Sequence, residues 1–268
     1  MSDKPAIVQH NPWQKLRRYT DARIALGRVG DSLPTQAHLE FQLAHAKARD
    51  AVHLPLDYEL LQQQLSVFRL PILTLESQAS DRACYLQRPD LGRLLSEQSL
   101  KAVADFSEGS KQGYDIAIVI TEGLSSLAID KNASPLLAQL LPALAARQLS
   151  IAPLCMVKQG RVAVADAIGE SLQAKLVLIL VGERPGLSSP DSMGVYLTYQ
   201  PQVGTADSKR NCLSNIREGG LSSEDATTRL LYLIDQALSR AYTGVDLKDE
   251  TEVEQHRLGQ NFLLPSSN

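Results

Sequence analysis

The stretch 175-KLVLILVGERPG-186 sets a continuous aliphatic run directly against a carboxylate, a guanidinium, a proline and two glycines. The run is far too short to cross a bilayer and is closed by glycine and proline, so it reads as a buried β-strand. A strand with no polar alternation has both faces covered, which is the mark of a parallel sheet lying between helices. The polar exit leaves two readings open. It is either a sharp turn with its polar ends in water, or one wall of a ligand site at the carboxyl edge of a sheet.

Working outward, 115-DIAIVI-120 is a second buried strand, and 121-TEGLSS-126 opens a helix that extends towards Arg147, with Pro135 and Pro142 expected to punctuate or kink it. A strand 150-SIAPLCMV-157, a loop 158-KQGRVAVAD-166 and a helix around 166-DAIGESLQA-174 then lead back into the opening stretch. A further strand is expected at 195-VYLTYQP-201, and a capped helix at 221–242 behind Ser222, Ser223 and Glu224. Upstream, 67-VFRLPILTLES-77 suggests a strand interrupted by Pro71, and Pro89 suits the first turn of a helix running through Ala102. The expected fold class is α/β, Rossmann-like, with a mostly parallel sheet covered by helices and an N-terminal helical extension. That extension holds a basic amphipathic helix from Trp13 to Leu26, a second over 36–51 and a third over 57–65. The chain accordingly divides into a helical head at 1–66, an α/β body at 67–244 and a polar tail at 245–268.

Several function classes are disfavoured. Net charge is −3 with both signs dispersed, so nothing points to nucleic acid or an anionic membrane. No hydrophobic signal core precedes Trp13, and three cysteines without a CxxC pair fit a reduced cytoplasm. The histidines are His10, His38, His45, His53 and His256, so the α/β body holds none between residues 54 and 255. A histidine-ligated metal or a Ser-His-Asp triad built within it is thereby excluded. Walker A and GxGxxG sequences are absent. Glu122, Glu170 and Glu183 have no spacing that unites them as an acid–base pair.

Three strands end alike: Thr121, Glu122, Gly123 and Ser125 follow the first; Lys158, Gln159, Gly160 and Arg161 the second; Gly182, Glu183, Arg184, Pro185 and Gly186 the third. No polar counterpart is expected at the strand starts. Ligands of open α/β sheets lie outside the carboxyl ends of the strands. Backbone amides, carboxylates and arginines suit a large neutral ligand rimmed with amides better than a triphosphate. The segment 209-KRNCLSNIREGG-220 adds Cys212, Ser214 and Asn215, with Cys212 read either as a reactive thiol or as a small filler at a contact surface.

Together 23-RIALGRVG-30, 85-YLQRPDLGR-93, 158-KQGRVAVADAIGE-170, 182-GERPGLSSPDSMGVYLTY-199 and 210-RNCLSNIREGG-220 closely resemble the small subunit of ethanolamine ammonia-lyase. The resemblance covers roughly residues 13–244, and GERPGL followed by CLSNI is its most specific part. It implies an adenosylcobalamin enzyme that converts ethanolamine to acetaldehyde and ammonia by a radical route. A large (β/α)8-barrel subunit would hold the substrate, and the small subunit would close over the cobalamin between them, in a hetero-oligomer resembling six large plus six small chains. Corrinoid contacts carried across fall on Val162, Glu183 and Cys212, with Gly160, Arg161, Arg184, Pro185, Ser214 and Asn215 around them. No DxHxxG sequence is present, so the cofactor is expected base-on, shared with the large subunit. The chain departs from longer-headed members, which leaves open whether it sits in the ethanolamine-utilisation microcompartment or free in the cytoplasm. The alternatives are a stand-alone small-molecule enzyme on a doubly wound sheet, with Glu122 or Glu183 as base, and an assembly subunit whose glycine loops are only turns.

Overall fold

The computed structural model describes residues 7–109 and 113–251. Six strands form one sheet: β1 (Ile72–Glu76), β2 (Ile116–Thr121), β3 (Ile151–Lys158), β4 (Leu176–Gly182), β5 (Met193–Tyr199) and β6 (Arg210–Ile216). Their order is β1-β3-β2-β4-β5-β6. The first four are parallel, whereas β5 runs antiparallel to β4 and β6 antiparallel to β5. The sheet is thus mostly parallel, as expected, with an antiparallel end. The ten residues between Gly182 and Met193 carry no helix, and a return to parallel needs a crossover of a dozen residues or more.

The period-two alternation sorts the aliphatic residues into two cores. Ile116, Ile118 and Ile120 of β2, with Leu176, Leu178 and Leu180 of β4, pack under α5 (Ser126–Ala146) and α7 (Ser223–Arg240). Ala117 and Val119, with Val177, Ile179 and Val181, face the other way, under α4 (Glu97–Glu108) and α6 (Val164–Ser171). Pro153 has no N–H to donate, and it falls where β3 spends one residue more than β2 across from it, between Ile151 and Leu154. The exits of β2 and β4 meet so closely that a Cβ on Gly123 would lie 2.3 Å from the Gly182 carbonyl oxygen.

Several expected elements are corrected. The basic helix from Trp13 to Leu26 is only a 3-10 turn, Pro12–Arg18, with no buried residue. Ala25 and Gly27 beyond it take left-handed backbone, which stops any helix. Pro89 does not open a helix. It separates the short α3 (Arg82–Gln87, capped by Asp81) from α4, which Ser96 caps, because the residue before a proline is pushed out of helical geometry. α5 remains one helix through Pro135 and Pro142. Two other helices of the head, α1 (Thr35–His53) and α2 (Tyr58–Ser66), are where expected, and α2 puts Leu61 and Leu65 into the same core as the sheet. The strand starts are also more polar than expected: Lys175 and the Ser150 hydroxyl and N–H all reach the Asp115 carboxylate at 2.8 Å. No described helix is long and apolar enough to cross a membrane.

Candidate functional site

Parallel strands deliver their exit loops to one edge, and β6, running the same way as β4, delivers its own end there too. The exits of β2 and β3 enter helices on opposite faces of the sheet, α5 on one and α6 on the other. A crevice is expected at such a reversal. It is occupied by a cleft of about 330 Å³ lined by Tyr85, Leu124, Arg161, Val162, Val181, Gly182, Glu183, Arg184 and Tyr196. Four of the expected site residues, Arg161, Val162, Glu183 and Arg184, therefore share one wall system.

Glu183 sits at the junction of three strands. Ser192, ahead of β5, donates to its Oε2 at 2.6 Å; Ser214 of β6 donates to Oε1; and the backbone N–H of Asn215 reaches Oε2 at 3.2 Å. Asn215 holds the left-handed backbone (φ 62°) that presents this N–H. Ser214 and Asn215 thus lie behind Glu183 and fix its aim. A carboxylate offers about four lone-pair positions, so one stays available towards the cleft.

The loop carrying Glu183 is pinned from below by α5. Ser125 donates to the Pro190 carbonyl at 2.7 Å, Asn132 to the Asp191 carbonyl at 2.9 Å, and Lys131 pairs with the Asp191 carboxylate at 2.8 Å. From above, Arg23 of the head reaches the Leu187 carbonyl and the Ser188 hydroxyl at 3.3 and 3.4 Å. The head is therefore near this loop in space, although remote in sequence.

Cys212 lies outside the cleft lining, on β6 opposite Tyr196 of β5. α7 covers β5 and β6 on one face only; on the other, Cys212 and Ser214 are exposed beside the cleft. The protein crowded around the Cys212 thiol raises its pKa above the ordinary value. Hydrogen bonding with Tyr196 opposes that rise, and the nearby Glu183 carboxylate adds to it. A raised thiol is a poor nucleophile, which favours the contact-surface reading. Gly160 is buried under its loop, its N–H donating to Thr121 Oγ1 at 3.0 Å, and Pro185 stands past the lining.

Sequence reasoning missed Tyr85 and Tyr196. The Arg161 guanidinium lies 4.4 Å from the centre of the Tyr85 ring and donates to the Tyr85 carbonyl at 3.1 Å, so Tyr85 orients the arginine beside Val162. The partly buried place of Tyr196 in the alternation of β5 was the only signal for it. The three candidate carboxylates do not converge. Glu122 faces a separate cavity of about 400 Å³ with Tyr58, Glu76, Arg82 and Lys158. Glu170 lies at the opposite edge of the sheet, beside Lys175 and Gln200.

The chain matches the family model described as Ethanolamine ammonia-lyase light chain (EutC) over residues 10–248. It is 53% identical over 260 residues to the ethanolamine ammonia-lyase small subunit of Pseudomonas fluorescens (strain Pf-5), covering 95% of each chain. It is 53% identical over 263 residues to that of Ralstonia nicotianae, covering 98% of this chain and 97% of the other. It is 55% identical over 253 residues to that of Azotobacter vinelandii, covering 94% and 93%. With a match that spans the whole sheet and every exit loop around the cleft, the chain belongs to the family of ethanolamine ammonia-lyase light chains.

Proposed function

We propose that this chain is the cofactor-contacting, non-catalytic subunit of an adenosylcobalamin-dependent ethanolamine ammonia-lyase. It lies against one edge of the cobalamin while a large subunit holds ethanolamine. The observation that carries this reading is the uncovered patch of β5 and β6, where Tyr196, Cys212 and Ser214 adjoin the cleft formed by Val162, Glu183 and Arg184.

The donor set fits the group. A cleft of about 330 Å³ is too small to enclose a corrinoid but is suited to its amide-bearing rim. Glu183 retains an acceptor position for an amide N–H, and nothing in the cleft offers a histidine to the metal. The resemblance to the family implies that the cofactor, when bound, would keep its own lower base. When bound, adenosylcobalamin supplies the radical from carbon–cobalt cleavage, and the protein's share is binding and orientation. This chain's residues present a fixed carboxylate, apolar contact from Val162 and a wall that keeps water from one edge.

A stand-alone enzyme is disfavoured by the geometry, because Glu122 and Glu183 face different cavities and so cannot work as an acid–base pair. The partner is the large subunit, in an assembly resembling six and six chains, in the cytoplasm or in the microcompartment. The test is deamination of ethanolamine with adenosylcobalamin. The purified chain alone is expected to be inactive, and mixing with the large subunit to restore turnover. Turnover by the chain alone would overturn the proposal.

A further inference from the structure

Glu122 is a carboxylate at 4% exposure with no ion pair among the described residues, and the cleft described above does not use it. Burying such a charge costs several kcal/mol unless donors surround it. They do. The Tyr58 hydroxyl donates to its Oε2, the backbone N–H of Gln159 donates to its Oε1 at 2.9 Å, and Thr121 Oγ1 lies 3.3 Å from Oε2. Burial first, and then the adjacent Glu122 carboxylate, push the Tyr58 hydroxyl well above its ordinary pKa, so Tyr58 stays the donor.

The Gln159 contact connects this cluster to the cleft. Gln159 has left-handed backbone, φ 55°, which a side-chain-bearing residue holds only against a cost of about 1 kcal/mol or more. Two and three residues on, the same loop supplies Arg161 and Val162 to the cleft wall. Gly160 is locked against Thr121, and the Arg161 N–H donates to the Gly92 carbonyl at 2.7 Å. The strained residue itself is held at three points: its carbonyl accepts from the Ser77 hydroxyl at 2.8 Å, its side-chain oxygen from Arg82 at 3.3 Å, and its N–H, which fixes the turn into the loop, is held by Glu122. We propose that Glu122, braced by Tyr58 of α2, is a positioning residue that sets the 159–162 loop so that Val162 and Arg161 stand at the right height for the cofactor. The role rests on the cofactor reading of the cleft.

Substitutions separate this role from plain structural support. Glu122→Ala leaves the Gln159 N–H unpaired and lets its backbone relax. Glu122→Gln keeps an oxygen for Gln159, while its amide donates to Tyr58, whose hydroxyl can then serve the Val157 carbonyl 3.0 Å away. Each variant is assembled with the large subunit and titrated with adenosylcobalamin by equilibrium dialysis; turnover at saturating cofactor and thermal melting are measured alongside. Glu122→Ala is expected to weaken cofactor binding about three- to tenfold, with kcat at saturation nearly unchanged, and Glu122→Gln to restore it. Should Glu122→Ala fail to assemble, Tyr58→Phe, which removes the brace alone, is expected to weaken binding about twofold to threefold. Wild-type affinity in Glu122→Ala, or in Tyr58→Phe where the first cannot be measured, overturns the proposal, as does a Glu122→Gln variant as weak as Glu122→Ala. Glu183→Ala distinguishes the two failures. If it weakens binding and Glu122→Ala does not, only the positioning role falls, and if neither does, the cofactor reading falls with it.

Discussion

Glu183 answers to two sets of neighbours, and the difference between them can be measured. Inward, it gathers Ser192, Ser214 and the Asn215 N–H, which tie the ends of β4, β5 and β6; outward, it faces the cleft. Alanine removes both functions. If one acceptor position serves a cofactor amide, Glu183→Ala is expected to weaken cofactor binding by roughly 1–3 kcal/mol in the assembled enzyme. Glu183→Gln, which keeps one acceptor oxygen, should fall between alanine and wild type. Cofactor titration beside urea unfolding separates the roles, since loss of stability with unaltered affinity would make the GERPG segment a rigid turn and nothing more. The residue was legible from sequence because a carboxylate directly after a buried aliphatic run has few reasons to be there. Tyr85 and Tyr58 were not legible, because their partners, Arg161 and Glu122, are brought to them only by the folded sheet.

Between elements, the decisive contact is the ion pair that fastens α6 to β6. Arg210 donates to both oxygens of Asp166 at 2.6 and 2.7 Å, with Thr198 Oγ1 and the Thr205 carbonyl taking further N–H groups, and both side chains are almost wholly enclosed. Asp166 lies in the first turn of α6, immediately after the 159–162 loop, so this pair also anchors the far end of the cleft wall. Removing one partner strands a buried charge, whereas replacing both with apolar groups of similar size does not. Arg210→Met is therefore expected to cost about 3–5 kcal/mol, and Arg210→Met with Asp166→Leu clearly less; urea unfolding of the two variants decides it, and equal losses would show that the charges are not the issue. β6 itself illustrates where reading by pattern stops. In RNCLSNI only Leu213 and Ile216 face the α7 core, and the Asn215 backbone breaks the alternation, so the segment looks like a polar loop. The aliphatic strands β2, β3 and β4 were plain because both of their faces are covered. The failed helix at 13–26 had apolar positions at uneven steps, 16, 19, 24 and 26, which no single helical face can collect.

Across the whole molecule, apolar exposure is concentrated before the sheet begins. Trp13 is 66% exposed and Tyr19 55%, and Leu33, Leu39, Phe41 and Leu43 are exposed too, whereas α2 is sealed into the core by Leu61 and Leu65. At the other end the chain stays with the fold through Leu247, which is buried and whose carbonyl accepts from Asn211 at 2.6 Å; residues 252–268 of the polar tail lie outside the described residues. Residues 7–33 thus form a surface segment without a buried residue, carrying the residue types, Trp, Tyr and Arg, that most often hold interface energy. Its backbone pairing, Gln9 with Arg28, is closed within itself, and its hydrogen bonds to the site loop are exposed and long, from Arg23 to Leu187 and Ser188 and from the Ser188 hydroxyl to the Asp21 carbonyl at 3.4 Å, worth little each. Deleting residues 1–28 is accordingly expected to leave a cooperatively folded α/β body that assembles poorly with the large subunit, cofactor binding being lost only through the lost assembly. Circular dichroism of the truncated chain and size exclusion with its partner test the two halves of that statement. Arg23→Ala alone should assemble normally, which shows that any defect of the deletion comes from the docking surface and not from the loop at Leu187. Unfolding of the truncated chain would make the segment part of the core, and normal assembly would make it a solvated turn.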